Sequence, residues 1–371
     1  MALRRWAGLA CACCCAAVGG APEPAASPQL KSAIVEVGTR SGAARFAASE
    51  LDGRAVEQLE LRGFVLIQPD AELVEAMRAA EAATAQLFAL PASAKARIDE
   101  AMRVPAANGS SLPGELQLWC TGLRVRPAAC SSTYAQAPSR QQHEQFHMVF
   151  DRRALALLRW PEDDVPTLRL AVERAGAALE SLAESLLALA APGLLAARGE
   201  AVRERGDNSV FDLFRYAGCR ECARQAAAEA AADAALRCCD EFGMSSHVDP
   251  GVLTCKYVAP GQVEGLQLQE LSSGEWLGER QFAGAVVCFV NAALAEWSLS
   301  HDDGPPLTAV PHRVVPASEQ PRHSVVYEMR TPALEMWDSL ADWSKAQRKA
   351  RRVAAQRERT RQRAAAQEGA S

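Results

Sequence analysis

The chain has 371 residues, of which 49% are hydrophobic and 6% aromatic, a composition typical of a folded globular enzyme rather than a disordered chain. This length suits one large domain with appendages, or two domains. The net charge of −5 is uneven, because residues 345–363 carry nine Lys or Arg against Glu358 alone. That tail is +8 and the rest of the chain −13, which argues against a main domain that binds nucleic acid.

The N-terminus has the charge order of a targeting peptide. Arg4 and Arg5 precede a short apolar run, four cysteines and a stretch of small residues that ends near residue 28. This segment is too short for a convincing membrane span, and no other segment is apolar for long enough. We interpret residues 1–28 as a targeting leader or an unstructured end. A cytoplasmic location is the first expectation, and an organellar or secretory location is the alternative.

The eight cysteines beyond this leader are scattered along the chain and do not predict a disulfide framework, so a reducing compartment is the simpler assumption. Cys219 and Cys222 have the spacing of half a zinc site, and Cys238 and Cys239 follow them. Two adjacent cysteines rarely chelate one zinc ion comfortably. We therefore expect thiols in an insertion here rather than a structural zinc site.

The first half of the chain is predicted to be largely helical around one strand. The apolar run Phe64–Ile67 is typical of a buried strand. Asp70 stands where an N-cap belongs, ahead of a helix that should end at Pro91. A second long helix is predicted from Val165 to Ala190. Residues 104–140 show no periodicity and predict a long surface loop.

From residue 207 the sequence changes to short β-rich runs separated by turn residues. These runs are Ser209–Tyr216, Val252–Val258, Gly265–Leu271, Ala283–Asn291, His312–Val315 and Ser324–Met329. Strands after a helical half indicate an α+β fold, with a double-stranded β-helix (jelly roll) core, an N-terminal helical region and flanking helices. We divide the chain into a leader (1–28), an N-terminal helical region (29–206), a jelly-roll domain (207–335) and a basic helical tail (336–371).

Two histidines and an aspartate in the second half have the pattern of a metal site. In an extended segment the side chains of His247 and Asp249 leave the same face. With His312 they would form the facial triad of two imidazoles and one carboxylate that holds non-haem Fe(II). Ten residues later Arg322 and Ser324 repeat the same spacing, and they offer a guanidinium and a hydroxyl to a carboxylate.

A competing motif is His143-Glu144-Gln145-Phe146-His147, which matches the H-E-x-x-H pattern of zinc proteases. That pattern works on a buried helix, where the two histidines are one turn apart and the glutamate acts as base. Here polar residues and Pro138 precede it, and no third histidine follows at the expected spacing. A zinc metalloprotease through His143, Glu144 and His147 is therefore the weaker alternative.

The metal pattern and its surroundings resemble the isopenicillin N synthase-like branch of the Fe(II)/2-oxoglutarate-dependent dioxygenases. The resemblance covers roughly residues 50–335. Besides the pattern itself, similar stretches occur in the same order: Arg62-Gly63-Phe64, Phe88-Ala89-Leu90-Pro91, Gly265-Leu266-Gln267, Gly274-Glu275-Trp276 and His312-Arg313-Val314-Val315.

The resemblance implies an oxidoreductase that uses Fe(II), 2-oxoglutarate and O2, with ascorbate as an auxiliary reductant. It implies hydroxylation or desaturation of a small organic substrate, with release of succinate and CO2. The implied site residues are the iron ligands His247, Asp249 and His312 and the 2-oxoglutarate ligands Arg322, Ser324 and Tyr216, with no catalytic residue beyond the metal centre. A monomer is expected. A catalytically altered binding scaffold with the same fold is the other alternative.

The sequence departs from the family pattern near the expected mouth of the barrel. Phe214 replaces the usual asparagine, and a cysteine- and alanine-rich insertion separates Tyr216 from His247. Ala292-Ala293 replaces the usual Gly-Asp, and an enlarged loop at 298–308 follows. We therefore expect a substrate that differs from those familiar in the family.

Overall fold

The computed structural model describes residues 44–102, 122–123, 143–216, 218, 244–261, 265–301, 305–315 and 321–332. The interpretations of the leader, of most of the 104–140 loop, of the Cys219–Cys239 insertion and of the 336–371 tail lie outside these residues. Within the described part, no helix combines the length and the apolarity needed to cross a bilayer.

The helices of the described part are concentrated before residue 206. They are α1 (Gly53–Arg62), α2 (Ala71–Ala89), α3 (Ala92–Met102), α4 (Arg152–Leu157), α5 (Leu168–Ala190), α6 (Pro192–Arg205), α7 (Glu279–Phe282) and α8 (Ala292–Ser300). The predicted N-cap of α2 is confirmed, since the Asp70 carboxylate accepts from the Leu73 backbone N–H at 2.8 Å. Helix α5 begins three residues later than predicted, because a residue that precedes a proline, here Val165, is disfavoured in the α region.

The strands form two sheets. They are β1 (Arg45–Ala47), β2 (Phe64–Gln68), β3 (Gly122–Leu123), β4 (His143–Val149), β5 (Val210–Tyr216), β6 (Met244–His247), β7 (Leu253–Val258), β8 (Leu266–Gln269), β9 (Trp276–Gly278), β10 (Ala285–Val290), β11 (His312–Val314) and β12 (Arg322–Met329). The larger sheet has the order β1-β2-β10-β7-β12-β5-β4-β3, and the smaller has the order β6-β11-β8-β9. Neighbouring strands are antiparallel except for β1 and β2.

The two faces of the larger sheet have different partners, because successive side chains of a strand point to opposite faces. On β7, Cys255 and Tyr257 belong to the main hydrophobic core, which also contains the apolar stripes of α2 and α5. Thr254 and Lys256 point the other way, into a cavity. Apolar residues on that second face, such as Phe64 and Phe289, pack with residues of the smaller sheet. A helical layer thus covers one face, and the cavity lies on the other.

A disulfide that the sequence patterns did not predict joins two strands of the larger sheet. Cys255 on β7 lies directly opposite Cys288 on β10, and the two form a disulfide with Cα atoms 4.3 Å apart. The scattered cysteines predicted no disulfide framework, and this single pair was not expected from the sequence. Their 33-residue separation gave no sign of the pairing, which depends on the register of two strands.

Candidate active site

The predicted metal ligands come together at the edge of the smaller sheet. His247 is the last residue of β6, and it pairs across the strands with His312, the first residue of β11. Their ring centroids are 4.2 Å apart. Asp249 lies just beyond β6, so the antiparallel register and the chain turn bring all three side chains to one place.

The geometry of the three side chains fits a single metal ion. One oxygen of Asp249, Oδ1, lies 3.4 Å from Nε2 of His247 and 3.4 Å from Nε2 of His312. Ligands about 2.1 Å from a metal and at right angles to one another are about 3 Å apart. The ligand atoms of His247, Asp249 and His312 all lie within 4.8 Å of one another, so the three side chains could hold a metal ion.

The Asp249 carboxylate is oriented by a short chain of buried hydrogen bonds. The Thr254 hydroxyl donates to Oδ2 of Asp249 at 2.7 Å, and the Asn291 amide donates to the Thr254 hydroxyl at 2.8 Å. Asn291 occupies the N-cap position of α8 but makes no side-chain cap there. Its amide instead donates to the Thr254 hydroxyl, which binds Oδ2 of Asp249. Oδ1 of Asp249 is then left to face the two imidazoles.

Electrostatics keep the Asp249 carboxyl ionised. Burial raises its pKa, but the charges and hydrogen bonds of His312 and His247 outweigh burial and hold the pKa well below its usual value. The Phe289 ring packs against His312, with centroids 4.8 Å apart. The Asp249 side chain is therefore a carboxylate, which is the form that ligates a metal.

The residues predicted to bind 2-oxoglutarate line the same cavity, whose volume is about 420 Å³. Arg322 and Ser324 face it from β12, and Tyr216 faces it from the neighbouring β5. The Arg322 guanidinium lies 4.5 Å from the centroid of the Tyr216 ring. Phe214, which replaces the family's asparagine, also lines the cavity and stacks on Tyr216 at 5.7 Å.

Arg322 is also packed against the backbone of Gly265. A Cβ atom added at Gly265 would lie 2.4 Å from Cζ of Arg322, which is closer than real Cβ contacts. Burial raises the pKa of the Tyr216 hydroxyl, so this ring stays neutral beside the guanidinium. Gly265 and Tyr216 together define the position of the Arg322 guanidinium.

Two buried residues that the sequence analysis missed join Arg322. Nη1 of Arg322 donates to Oε1 of Glu279 at 3.0 Å, and the ammonium of Lys256 donates to the same oxygen. Burial raises the pKa of the Glu279 carboxyl, but Lys256 and Arg322 outweigh it and hold the pKa at about 2. A lysine in the otherwise largely apolar strand Leu253–Val258 was the signal that could have revealed this cluster.

A polar wall forms another part of the cavity lining. Asp212 on β5 accepts hydrogen bonds from Gln145 at 2.9 Å and pairs with Nδ1 of His147 at 2.7 Å. Burial raises the pKa of the Asp212 carboxyl, but His147 and Gln145 outweigh burial and lower it. At the far end of β12, Glu328 binds Arg330 at 2.6 Å. We call Gln145, His147, Asp212, Glu328 and Arg330 the polar wall.

The H-E-x-x-H motif has no helix in this structure. His143 to Val149 form β4, and five residues of extended chain place its two histidines about 13 Å apart along the strand. Glu144 pairs instead with Lys95 at 2.8 Å, and His147 pairs with Asp212. The metalloprotease alternative is therefore wrong, because two histidines this far apart cannot chelate one zinc ion.

The solved structures with a similar fold include three that were determined with 2-oxoglutarate bound. A full-length Neurospora crassa protein, solved with alpha-KG and 5-formyluracil, is 14% identical, has a TM-score of 0.53, and the match covers 84% of this chain and 96% of that one. The dioxygenase for auxin oxidation 1 from Arabidopsis thaliana, solved with 2-oxoglutarate, is 15% identical, with a TM-score of 0.51 and coverage of 81% and 97%. JOX2, solved with 2OG, Fe and JA, is 20% identical, with a TM-score of 0.51 and coverage of 78% and 75%.

The chain has the fold of the 2-oxoglutarate/Fe(II) oxygenases. The expected α+β class is confirmed, since a mixed sheet and an antiparallel sheet are combined with helices. No family model matches the sequence, and no curated protein does. At such low identities the comparison establishes the fold, and the chemistry must be argued from the residues of this chain.

Proposed function

We propose that the protein is an Fe(II)- and 2-oxoglutarate-dependent oxygenase that hydroxylates or desaturates a small organic substrate. One observation carries this proposal. A His–Asp–His group of the right geometry and a buried arginine line one cavity of about 420 Å³. A 2-oxo dicarboxylate needs both features, because its keto-acid end chelates the metal while its distal carboxylate needs a cation.

In this proposal His247, Asp249 and His312 would hold the metal ion. The bound iron, with O2, supplies the oxidative decarboxylation of 2-oxoglutarate to succinate and CO2 and the oxidation of the substrate, with ascorbate as an auxiliary reductant. The protein's own part is to bind and orient. Thr254 and Asn291 fix the carboxylate ligand through their hydrogen bonds.

Arg322, Ser324 and Tyr216 bind the distal carboxylate in this proposal. Ser324 is 2% exposed and lies two residues from Arg322 on the same strand face, so its hydroxyl and the guanidinium can reach one carboxylate. Phe289, Leu266 and Val314 give the cavity apolar surfaces near the metal group. These surfaces exclude water, which strengthens each polar contact inside.

The polar wall is the proposed contact surface for the substrate. It lines the cavity that holds the metal group but is distinct from the cluster around Arg322. A wall with two carboxylates, an imidazole, an amide and a guanidinium suits a substrate that both donates and accepts hydrogen bonds. We also infer that the two facing sheets form the double-stranded β-helix, and that the protein acts as a monomer.

The test is succinate production from 2-oxoglutarate by the purified protein under air with Fe(II), ascorbate and a metabolite extract. We expect succinate with the wild type and none with Asp249→Ala, which loses a metal ligand and its charge. Asp163→Ala, a change at an exposed residue, is the matched control and should retain turnover. Retained turnover in Asp249→Ala would refute the metal assignment, and a wild type without Fe(II)-dependent succinate would favour the binding-scaffold alternative.

A further inference from the structure

The cluster of Arg322, Lys256 and Glu279 is unusual for a site that must bind one carboxylate. All three side chains are buried: that of Arg322 is 9% exposed, that of Lys256 4% and that of Glu279 0%. Both cations donate to the same oxygen of Glu279. The arginine proposed to bind the co-substrate therefore already has a carboxylate partner from the protein.

A charge count shows what each member contributes. Arg322 and Glu279 alone would form a neutral pair, which has little attraction for a second carboxylate. Lys256 adds a second cation, so two cations face one carboxylate and an excess of one positive charge remains. Glu81 on α2 also interacts with the charges of this cluster, but burial raises the pKa of its carboxyl group. The excess of one positive charge is therefore that of the three clustered side chains alone.

The hydrogen-bond donors of the cluster are also only partly used. Nε of Arg322 is buried and makes no hydrogen bond with any described residue. An ammonium has three donors, and the described contacts of Lys256 use one of them, on Glu279. Lys256 and Arg322 both line the cavity. Oε2 of Glu279 is also buried without a hydrogen-bond partner among the described residues, so the cluster has both an unused donor and an unused acceptor. The excess of one positive charge is what points to an anion as the missing partner.

We propose that Lys256 is a second binding residue for the distal carboxylate of the co-substrate, and that Glu279 is a positioning residue that holds Lys256 and Arg322 together. The identity of the anion as 2-oxoglutarate rests on the proposed function, whereas the anion site itself rests on the cluster. Glu279 keeps the two cations close in the free protein despite their mutual repulsion. The bound carboxylate then takes the donors that Glu279 leaves unused.

This arrangement predicts effects of opposite sign at two neighbouring residues. Lys256→Met leaves a neutral Arg322–Glu279 pair, so anion affinity should fall. Glu279→Gln keeps the size of the side chain but removes its charge, so anion affinity should rise. In the double variant one cation faces no carboxylate, which restores the excess of one positive charge. Its affinity should lie between those of Lys256→Met and the wild type, because the excess charge is restored but the donors of the ammonium are not.

The experiment is calorimetric titration of the full-length, metal-free protein with glutarate, a dicarboxylate that has no keto group. We expect Lys256→Met to weaken binding about 10-fold or more, Glu279→Gln to tighten it, and the double variant to bind more tightly than Lys256→Met but more weakly than the wild type. Lys95→Met is the matched control, since it removes a buried lysine from a Lys–Glu pair that does not line the cavity. It should leave glutarate affinity unchanged.

The proposal is overturned if Lys256→Met binds glutarate like the wild type, if Glu279→Gln weakens binding, or if the wild type does not bind glutarate. Thermal unfolding checks that each variant is folded. Should Lys256→Met not fold, the sign of the change in Glu279→Gln still decides. Glutarate binding with the expected order of affinities but no Fe(II)-dependent succinate would refute the proposed function and support the anion site.

Discussion

The Thr254 hydroxyl donates a hydrogen bond of 2.7 Å to the Asp249 carboxylate, and so links β7 of the larger sheet to the candidate metal group at the edge of the smaller sheet. Residues that support a metal ligand in this way commonly change metal affinity 10- to 100-fold when they are replaced. Thr254 is 2% exposed, so no water can readily take its place.

Replacing Thr254 with valine, which has nearly the same shape, should therefore weaken metal binding. The Asp249 oxygen would lose its donor, and the buried Asn291 amide would lose its acceptor. We expect the dissociation constant for Fe(II), measured by anaerobic calorimetry, to rise about 10-fold. Thr254→Ser keeps the hydroxyl and should bind like the wild type. Equal affinities for the valine and serine variants would show that the hydrogen bond does not support the ligand.

Replacing Gly265 with alanine should displace the Arg322 guanidinium. The added methyl group would lie 2.4 Å from Cζ of Arg322. The guanidinium is a rigid plane that also contacts Tyr216 and Glu279. We expect 2-oxoglutarate affinity to fall about 10-fold while Fe(II) affinity stays unchanged. Gly199→Ala is the control, because its nearest neighbouring atom is 3.8 Å away. Unchanged 2-oxoglutarate affinity in Gly265→Ala would contradict this role.

His323 should make the protein less stable in mild acid. Burial, Arg215 and Arg322 lower the pKa of its imidazole to about 4, whereas an unfolded histidine titrates near 6.5. The folded state therefore resists protonation, so the stabilising effect is complete above pH 6.5 and is lost as the pH falls towards 4. The full pKa shift corresponds to about 3 kcal/mol of unfolding free energy. Because the His323 imidazole is partly exposed, we expect the protein to lose only about 1 kcal/mol of this stability at pH 5.

His323→Phe tests this linkage, because a phenyl ring can keep the stack on Phe88, whose centroid is 6.4 Å away. Urea unfolding at pH 7.5 and pH 5 gives the free energy of unfolding for both proteins. The wild type should lose about 1 kcal/mol more than the variant between the two pH values. The same loss in both proteins would show that His323 does not cause the acid sensitivity.

Local signals were sufficient to predict much of the fold. The apolar run at Phe64–Ile67 and the Asp70 N-cap gave β2 and α2, because both depend on residues close in sequence. The six β-rich runs correspond to β5, β7, β8, β10, β11 and β12, with ends that differ by up to two residues. The polar sequence of β4 hid a strand, since Gln145 and His147 face a cavity and Glu144 pairs with the buried Lys95.

Features that depend on strand register could not be predicted from the sequence. The order of His247, Asp249 and His312 suggested a shared site, but their 3.4 Å separations follow from the pairing of β6 with β11. Glu279 and Lys256 are separated by 23 residues and carry no family motif. Their contact with Arg322 follows from three elements that meet at the cavity.

The most direct test of the central claim is a crystal structure of the full-length protein prepared without oxygen in the presence of Fe(II) and 2-oxoglutarate, with anomalous scattering measured at the iron edge. The account predicts one iron peak bound by His247, Asp249 and His312, and the distal carboxylate of 2-oxoglutarate in contact with Arg322. An iron peak at other residues, or none at this group, would contradict it.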